Sequence, residues 1–220
     1  MRGERPGLLA LLALLAAASA GAEPPAIPGG ELTLEALMQR MASTTGVRAE
    51  FREEKTLALL ETPLVSEGEL YFIPPSRMAR ITTRPGRSSL VIDGQKMSYT
   101  DEAGASDVDL AGNRVARTIA DNFVVLFAGD LAALRERYQV AFVSEHPRWR
   151  IGLTPRAAPL SQFIASVELR GDGPALEQIA ILEADGDRTV TRFRNVETDT
   201  RFSPEELARL FPPGPSAPVP

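Results

Sequence analysis

From Val47 onward the chain alternates apolar and polar residues with a period of two, broken at short intervals by turn signals. No other feature limits the fold as much. Successive side chains of a strand point to opposite faces, so this alternation marks ribbons with two unlike sides. Val47, Ala49 and Phe51 alternate with charged residues. Leu64 to Ile73 places Leu70 and Phe72 on one side, Tyr71 and Ile73 on the other. Pro74-Pro75 cannot sit inside a hydrogen-bonded ladder, so the chain bends or meets an edge there. Met78 to Thr83 resumes the extended pattern and Arg84-Pro85-Gly86 reads as a turn. Leu90, Val91 and Ile92 lead into Asp93-Gly94, a strong hairpin signal, and Met97 to Tyr99 runs back. Further strand-like segments lie at Gln139 to Val143, Arg148 to Leu153, Gln162 to Leu169, around Ile179 and Ile181, and at Thr189 to Val196. Connections this short imply antiparallel pairing.

Helical signals appear in three places, before the alternation, within it and after it. Thr33 can cap a helix carrying Leu34, Leu37, Met38 and Met41. Asp101 to Asn113 is polar and reads as a loop. Beyond it, Ile119, Phe123, Leu126 and Phe127 follow helical spacing, and Asp130 can cap a second short helix with Leu131 and Leu134. "SPEE", Ser203 to Glu206, is a capping box with Pro at the first helical position. Such short helices need a surface to pack on. The expected class is α+β: one strongly curved antiparallel sheet, with short helices as a lid over its concave face.

The two ends stand outside this domain, which spans residues 31–211. Arg2 and Arg5 precede the apolar run Leu8 to Ala18, and small residues follow. Residues 1–22 therefore read as a secretory signal peptide, with an apolar run too short to cross a bilayer. Residues 23–30 are a Pro/Gly linker, and 212–220 a Pro-rich, disordered tail. An exported chain with no cysteine suits a bacterial periplasm and excludes disulfides and thiolate chemistry. The net charge of −5 argues against a nucleic-acid partner.

Catalytic constellations are missing. The one histidine, His146, precedes Pro147 in a turn, and no G-x-S-x-G elbow or phosphate loop is present. "SDVD", Ser106 to Asp109, and "DGD", Asp185 to Asp187, read as turn residues bonding their own backbone, and not as a metal site. No enzyme activity, metal or cofactor is expected. The informative residues are apolar: Phe51, Leu70, Phe72, Met78, Leu90, Ile92, Phe123, Leu126, Phe127 and Phe163. On a curved sheet beneath a loosely fitted helical lid they can line a cavity.

The run "EGELYFIPPSRMARITTRPGRSSLVIDGQKMSYTD" resembles the LolA family of periplasmic lipoprotein carriers. "VRAEFREEK" upstream, and "WRIGLTPR", "LSQFIASVELRGDG", "DGDRTVTRFRNV" and "SPEELARLFPPG" downstream, are similar to that family's segments in the same order. The resemblance implies an incomplete, half-open antiparallel barrel with helices over an apolar cavity. It implies a monomeric carrier that shields acyl chains of a lipoprotein or another lipid, between an inner-membrane donor complex and an outer-membrane acceptor. The same fold also suits a periplasmic lipid-sensing or regulatory module, or a carrier serving an exporter of another lipid. Family members often carry Arg before the proline of the bend, where it can bond the lid. Pro74 stands there in this chain, and Arg77 or Arg80 is the candidate latch.

Overall fold

The alternating segments become eleven strands in the computed structural model. It describes residues 32–145 and 147–212, apart from the side chains of Arg114, Val115, Ile119 and Phe123. The expected signal peptide and linker, His146, and the tail beyond Pro212 lie outside the described residues. The described residues belong to one unit, Glu31–Pro220.

A helix, α1 (Leu34–Ala42), precedes six strands: β1 (Val47–Thr56), β2 (Leu64–Ile73), β3 (Arg77–Arg84), β4 (Ser88–Asp93), β5 (Lys96–Asp101) and β6 (Gly104–Asp109). Helices α2 (Arg114–Ala128) and α3 (Leu131–Arg137) follow, then β7 (Tyr138–Glu145) and β8 (Arg148–Pro155). A helical turn, α4 (Leu160–Phe163), leads to β9 (Ile164–Asp172), β10 (Ala175–Glu183), β11 (Arg188–Thr198) and the last helix, α5 (Pro204–Leu210). The caps act as their residue types dictate. Thr33, Asp130 and Ser203 accept hydrogen bonds from Ala36, Ala133 and Glu206 backbone N–H groups, and Ser203 with Glu206 completes the capping box.

All strands lie in one antiparallel sheet, ordered β6-β5-β4-β3-β2-β1-β11-β10-β9-β8-β7. Two meanders are joined at the centre where β1 pairs with β11. The edges β6 and β7 do not meet, so the barrel stays half open. So wide an antiparallel sheet coils because each strand pair adds twist in one hand. Bulges deepen the bend. They fall between Arg48 and Glu50 against β11, between Glu67 and Gly68 against β3, and twice in β10 against β9. Asn195, on β11 beside the first of these, has a positive φ of 50°.

Residues directly opposite in an antiparallel pair share a face. The rows Phe51–Phe193, Phe72–Met78 and Met78–Ile92 define the inner face. The rows Tyr71–Ala79 and Ala79–Val91 define the outer one. Helix α2 covers the inner face, and α1 packs against α2. Gly129, the left-handed C-cap of α2, lies so close to α1 that a Cβ there would sit 2.4 Å from the Met38 carbonyl oxygen.

One sequence expectation is extended and two are corrected. Helices do not cover one face alone: Leu210 and Phe211, at the end of α5, pack on Tyr71 and Ala79 of the outer face, with Ile73, Ile81, Val91, Phe202 and Leu207 around them. The polar stretch Asp101 to Asn113 is not a loop throughout, because β6 pairs with β5 along its whole length. An edge strand needs little apolar patterning when one side is solvated. Finally, the segment from Gln162 does not begin as a strand. Its first two residues end α4, which turns Phe163 outward.

Candidate functional site

The inner face gathers most of the apolar residues singled out in the sequence. Phe51, Leu70, Phe72, Met78 and Ile92 come from four adjacent strands and are buried, Phe72 completely, at 0% exposure. Leu90 is half-buried on the same face, opposite Arg80 in register. From the helical side, Leu126 and Phe127 are buried, Phe127 against the sheet. The Phe127 ring lies between two strand rings, with centroids 6.0 Å from Phe72 and 6.0 Å from Phe193. Distances of this size suit tilted and edge-on ring packing. Phe51 lies over Gly68, where a Cβ would come within 2.9 Å of the ring and 2.0 Å of the Ile81 carbonyl oxygen. Only glycine leaves room for the ring here.

One candidate falls elsewhere, and the side chain of another is not described. Phe163 is 49% exposed on α4 and does not join this group. The side chain of Phe123 is outside the described residues, although its backbone lies in α2. The sequence list also stopped short. Ile151, Leu153, Val167, Leu169, Ile179 and Phe193 extend the same buried face across β8, β9, β10 and β11. Their period-two spacing was legible, but the face they share with Phe51 depends on the central β1–β11 pairing.

Towards the β1–β2 hairpin end the inner face becomes polar. The Arg80 guanidinium donates to Glu53 at 2.9 Å and to Thr82 at 3.2 Å, and stacks 4.1 Å from the Phe51 ring centroid. The Thr191 hydroxyl donates to the other Glu53 oxygen at 2.8 Å. A guanidinium is well suited to this double role, flat against an aromatic face and forked toward a carboxylate. Apolar surface and a charge-paired end therefore meet at Phe51.

The expected latch residues are engaged within the sheet and with α5. Arg80 bonds β1 and β2 residues, and Arg77 pairs with Asp93 at 3.0 Å while its guanidinium lies 4.1 Å from the Phe211 ring. Neither has a described bond to α1, α2 or α3. Other residues tie those helices down. Glu35 of α1 pairs with Arg135 of α3 at 2.7 Å, and Asp121 of α2 with Arg137 at 3.4 Å. The Tyr138 hydroxyl, at the start of β7, donates to the Asn122 side-chain oxygen of α2, and both residues are buried. Burial pushes the Tyr138 phenol up to about 12, so it stays a neutral donor. The hydrogen bond from Arg135 holds the Glu35 carboxyl below its ordinary range.

The acidic group Glu183, Asp185 and Asp187 is committed to its own hairpin and to the neighbouring end of β1. Lys55 pairs with Glu183 at 2.8 Å, Ala58 N–H donates to Asp187, and Asp187 N–H donates to Asp185. "SDVD" lies on the edge strand β6. No helix among the described residues is long and apolar enough to cross a membrane.

Residues 42–208 match the model of the family described as outer membrane lipoprotein carrier protein LolA. No curated protein matches the chain. Among solved structures the chain is similar to one in the Pseudomonas aeruginosa MucA/MucB complex, at 16% identity and TM-score 0.45, covering 78% of this chain and 57% of that one. It thus spans less than two thirds of that relative's length. A crystal structure of MucB matches at 16% identity and TM-score 0.48, covering 78% and 60%. A LolA superfamily protein from Nitrosomonas europaea matches at 9% identity and TM-score 0.44, covering 80% and 97%.

Proposed function

Because this chain belongs to the LolA family of outer membrane lipoprotein carriers, we propose that it carries an acylated cargo, a lipoprotein or another lipid, with the acyl chains held between the inner face of the sheet and the overlying helices. It does so in the periplasm, between an inner-membrane donor and an outer-membrane acceptor. The observation that supports this reading most directly is the apolar strip from Phe193 through Phe51, Leu70, Phe72 and Met78 to Ile92, roofed by Phe127. Phe123 belongs to the same proposal as a residue of the roof helix.

The physical need is large. Each CH₂ exposed to water costs about 0.8 kcal/mol, so an acyl chain of about sixteen carbons opposes an unescorted crossing by about 12 kcal/mol. A carrier must offset most of that and still release the chain. Non-directional contacts with aliphatic and aromatic side chains meet both demands, since they form and break without a chemical step. The ion pairs that tie the helices involve exposed or half-exposed side chains, where each contributes little, so they add little to the cost of lifting the roof.

Native mass spectrometry of protein isolated from its own cell envelope is expected to show an acyl-containing ligand. A fluorescent fatty-acyl probe is expected to bind, and Phe127→Glu, which sets a carboxylate between Phe72 and Phe193, to weaken it at least tenfold. Leu182→Glu, at an exposed position, serves as the control. Should Phe127→Glu prevent folding, Leu90→Glu tests the same face from a half-buried site. Full uptake by a folded variant would refute the inner-face assignment.

A further inference from the structure

The two free edges of the sheet are unlike. β6, with sequence GASDVD, has 6 residues and carries Asp107 and Asp109. Short, charged edges resist pairing with foreign strands. β7, with sequence YQVAFVSE, has 8 residues, no proline and no lysine. It pairs with β8 without a bulge, from Tyr138–Pro155 to Glu145–Arg148. Among the described residues no strand covers its other side. Its outer-face series Gln139, Ala141, Val143 and Glu145 is exposed, Val143 at 48%.

A groove lies beside this edge, lined by Val143, Glu145, Arg148, Trp149, Arg150 and Arg170. Three arginines against one glutamate make it locally cationic in a chain of net charge −5. The nearby Glu168 does not neutralise them all. It is held by Arg170 at 2.7 Å and lies 3.8 Å from Arg150. Arg148 stands between Glu145 and Asp172 in register, yet makes no ion pair among the described residues. Arg148 thus borders the open ladder without an ion pair, and Arg150 with a single long one to Glu168, which Arg170 shares.

We propose that β7 and this groove dock an extended acidic segment of a partner protein, which adds as a strand beside β7 and sets its carboxylates against Arg148 and Arg150. Strands in a sheet lie about 4.8 Å apart, so the added strand runs about 10 Å from β8, within reach of an arginine side chain. Backbone hydrogen bonds to β7 supply affinity that is blind to sequence. Arginine–carboxylate pairs supply the preference for acidic residues, and Val143 offers an apolar contact between them. Val143, Arg148 and Arg150 lie on the outer face, opposite to the acyl strip, and the inference does not depend on the cargo reading.

The test uses the full chain and a labelled decapeptide of alternating Glu and Val, followed by fluorescence anisotropy. It is expected to bind at least tenfold more tightly than a Lys/Val peptide of the same length, and to weaken as salt is added. Amide exchange is expected to slow along residues 139–145. The double variant Arg148→Glu/Arg150→Glu, at two exposed positions, is expected to lose at least tenfold in affinity. A Glu/Val peptide methylated on alternate backbone nitrogens keeps its carboxylates but cannot complete a ladder, and is expected to bind at least tenfold more weakly. Equal binding of the Glu/Val and Lys/Val peptides, full binding by the double variant, full binding by the methylated peptide, or protection on β6 instead of β7 would each overturn the proposal. So would a concentration-dependent dimer abolished by Val143→Glu, which would assign the edge to a second copy. Acyl-probe uptake, measured in the same samples, separates failure of this site from failure of the carrier reading.

Discussion

At the scale of single residues, glycine decides how closely the parts approach. Gly129 has φ of 66°, and a Cβ on it would lie 2.4 Å from the Met38 carbonyl oxygen and 2.5 Å from the Ala42 nitrogen. Both obstacles are helix backbone, which cannot rotate away as a side chain can. Gly94 has a similar φ of 60° with open space around it. The pair separates two effects. Gly94→Ala is expected to cost about 1–2 kcal/mol, the intrinsic penalty of the left-handed region. Gly129→Ala is expected to cost at least about 2 kcal/mol more, because α1 and α2 must move apart. Urea unfolding of the two variants checks this, and equal losses would show that the close approach carries no weight.

Local rules also fail at single positions for physical reasons. Phe163 is as apolar as Phe72, and its sequence neighbours alternate. Yet α4 places it outside, since one helical turn before β9 changes the period just there. Arg80 breaks an apolar row in sequence and looks misplaced. Its partner Glu53 lies 27 residues away and reaches it only across the paired strands.

At the scale of elements, α5 is held by its cap and by cations of the sheet. Arg48 pairs with Glu206 at 2.6 Å and lies 5.5 Å from the Phe202 ring centroid, while Arg77 lies over Phe211. The Glu206 carboxyl is held below the ordinary carboxylate range, first by the Ser203 backbone N–H and then by Arg48. A depressed folded-state value means that its stabilisation is present above the unfolded carboxylate value and is lost as pH falls through the folded one. Ser203→Ala is expected to cost about 1 kcal/mol, the usual loss for a cap. Glu206→Gln is expected to flatten the acid limb of a pH–stability curve measured by thermal melts, with little further loss below it. An unchanged acid limb in Glu206→Gln would show that this carboxylate is not the group responsible.

At the scale of the whole molecule, the ladder between β1 and β11 joins the two meanders. Neither meander closes on itself, and the inner-face strip runs across the join from Phe193 to Phe51. The sheet is therefore expected to unfold as one cooperative unit. Circular dichroism reports all strands, and fluorescence of Trp149, on β8, reports one wing. Coincident transitions by the two probes are the expected result. Separate midpoints would mean that the meanders stand independently.

What the sequence determined alone is local. Period-two alternation located most of the strands, Asp93-Gly94 placed a hairpin, and Thr33, Asp130 and the Ser203–Glu206 box marked helix starts. Each depends on residues within a few positions of one another, so a linear reading contains it. Only the tertiary structure decided which apolar side of β2 faces the helices. Leu70 and Phe72 compete on even terms with Tyr71 and Ile73, and the choice follows from α2 lying over one face while α5 lies over the other. It likewise decided that Phe193 joins Phe51, that Asn122 meets Tyr138, and that β7 keeps an open edge beside Arg148 and Arg150. These relations arise from strand pairing and packing between distant segments, and no local pattern encodes which distant segment arrives.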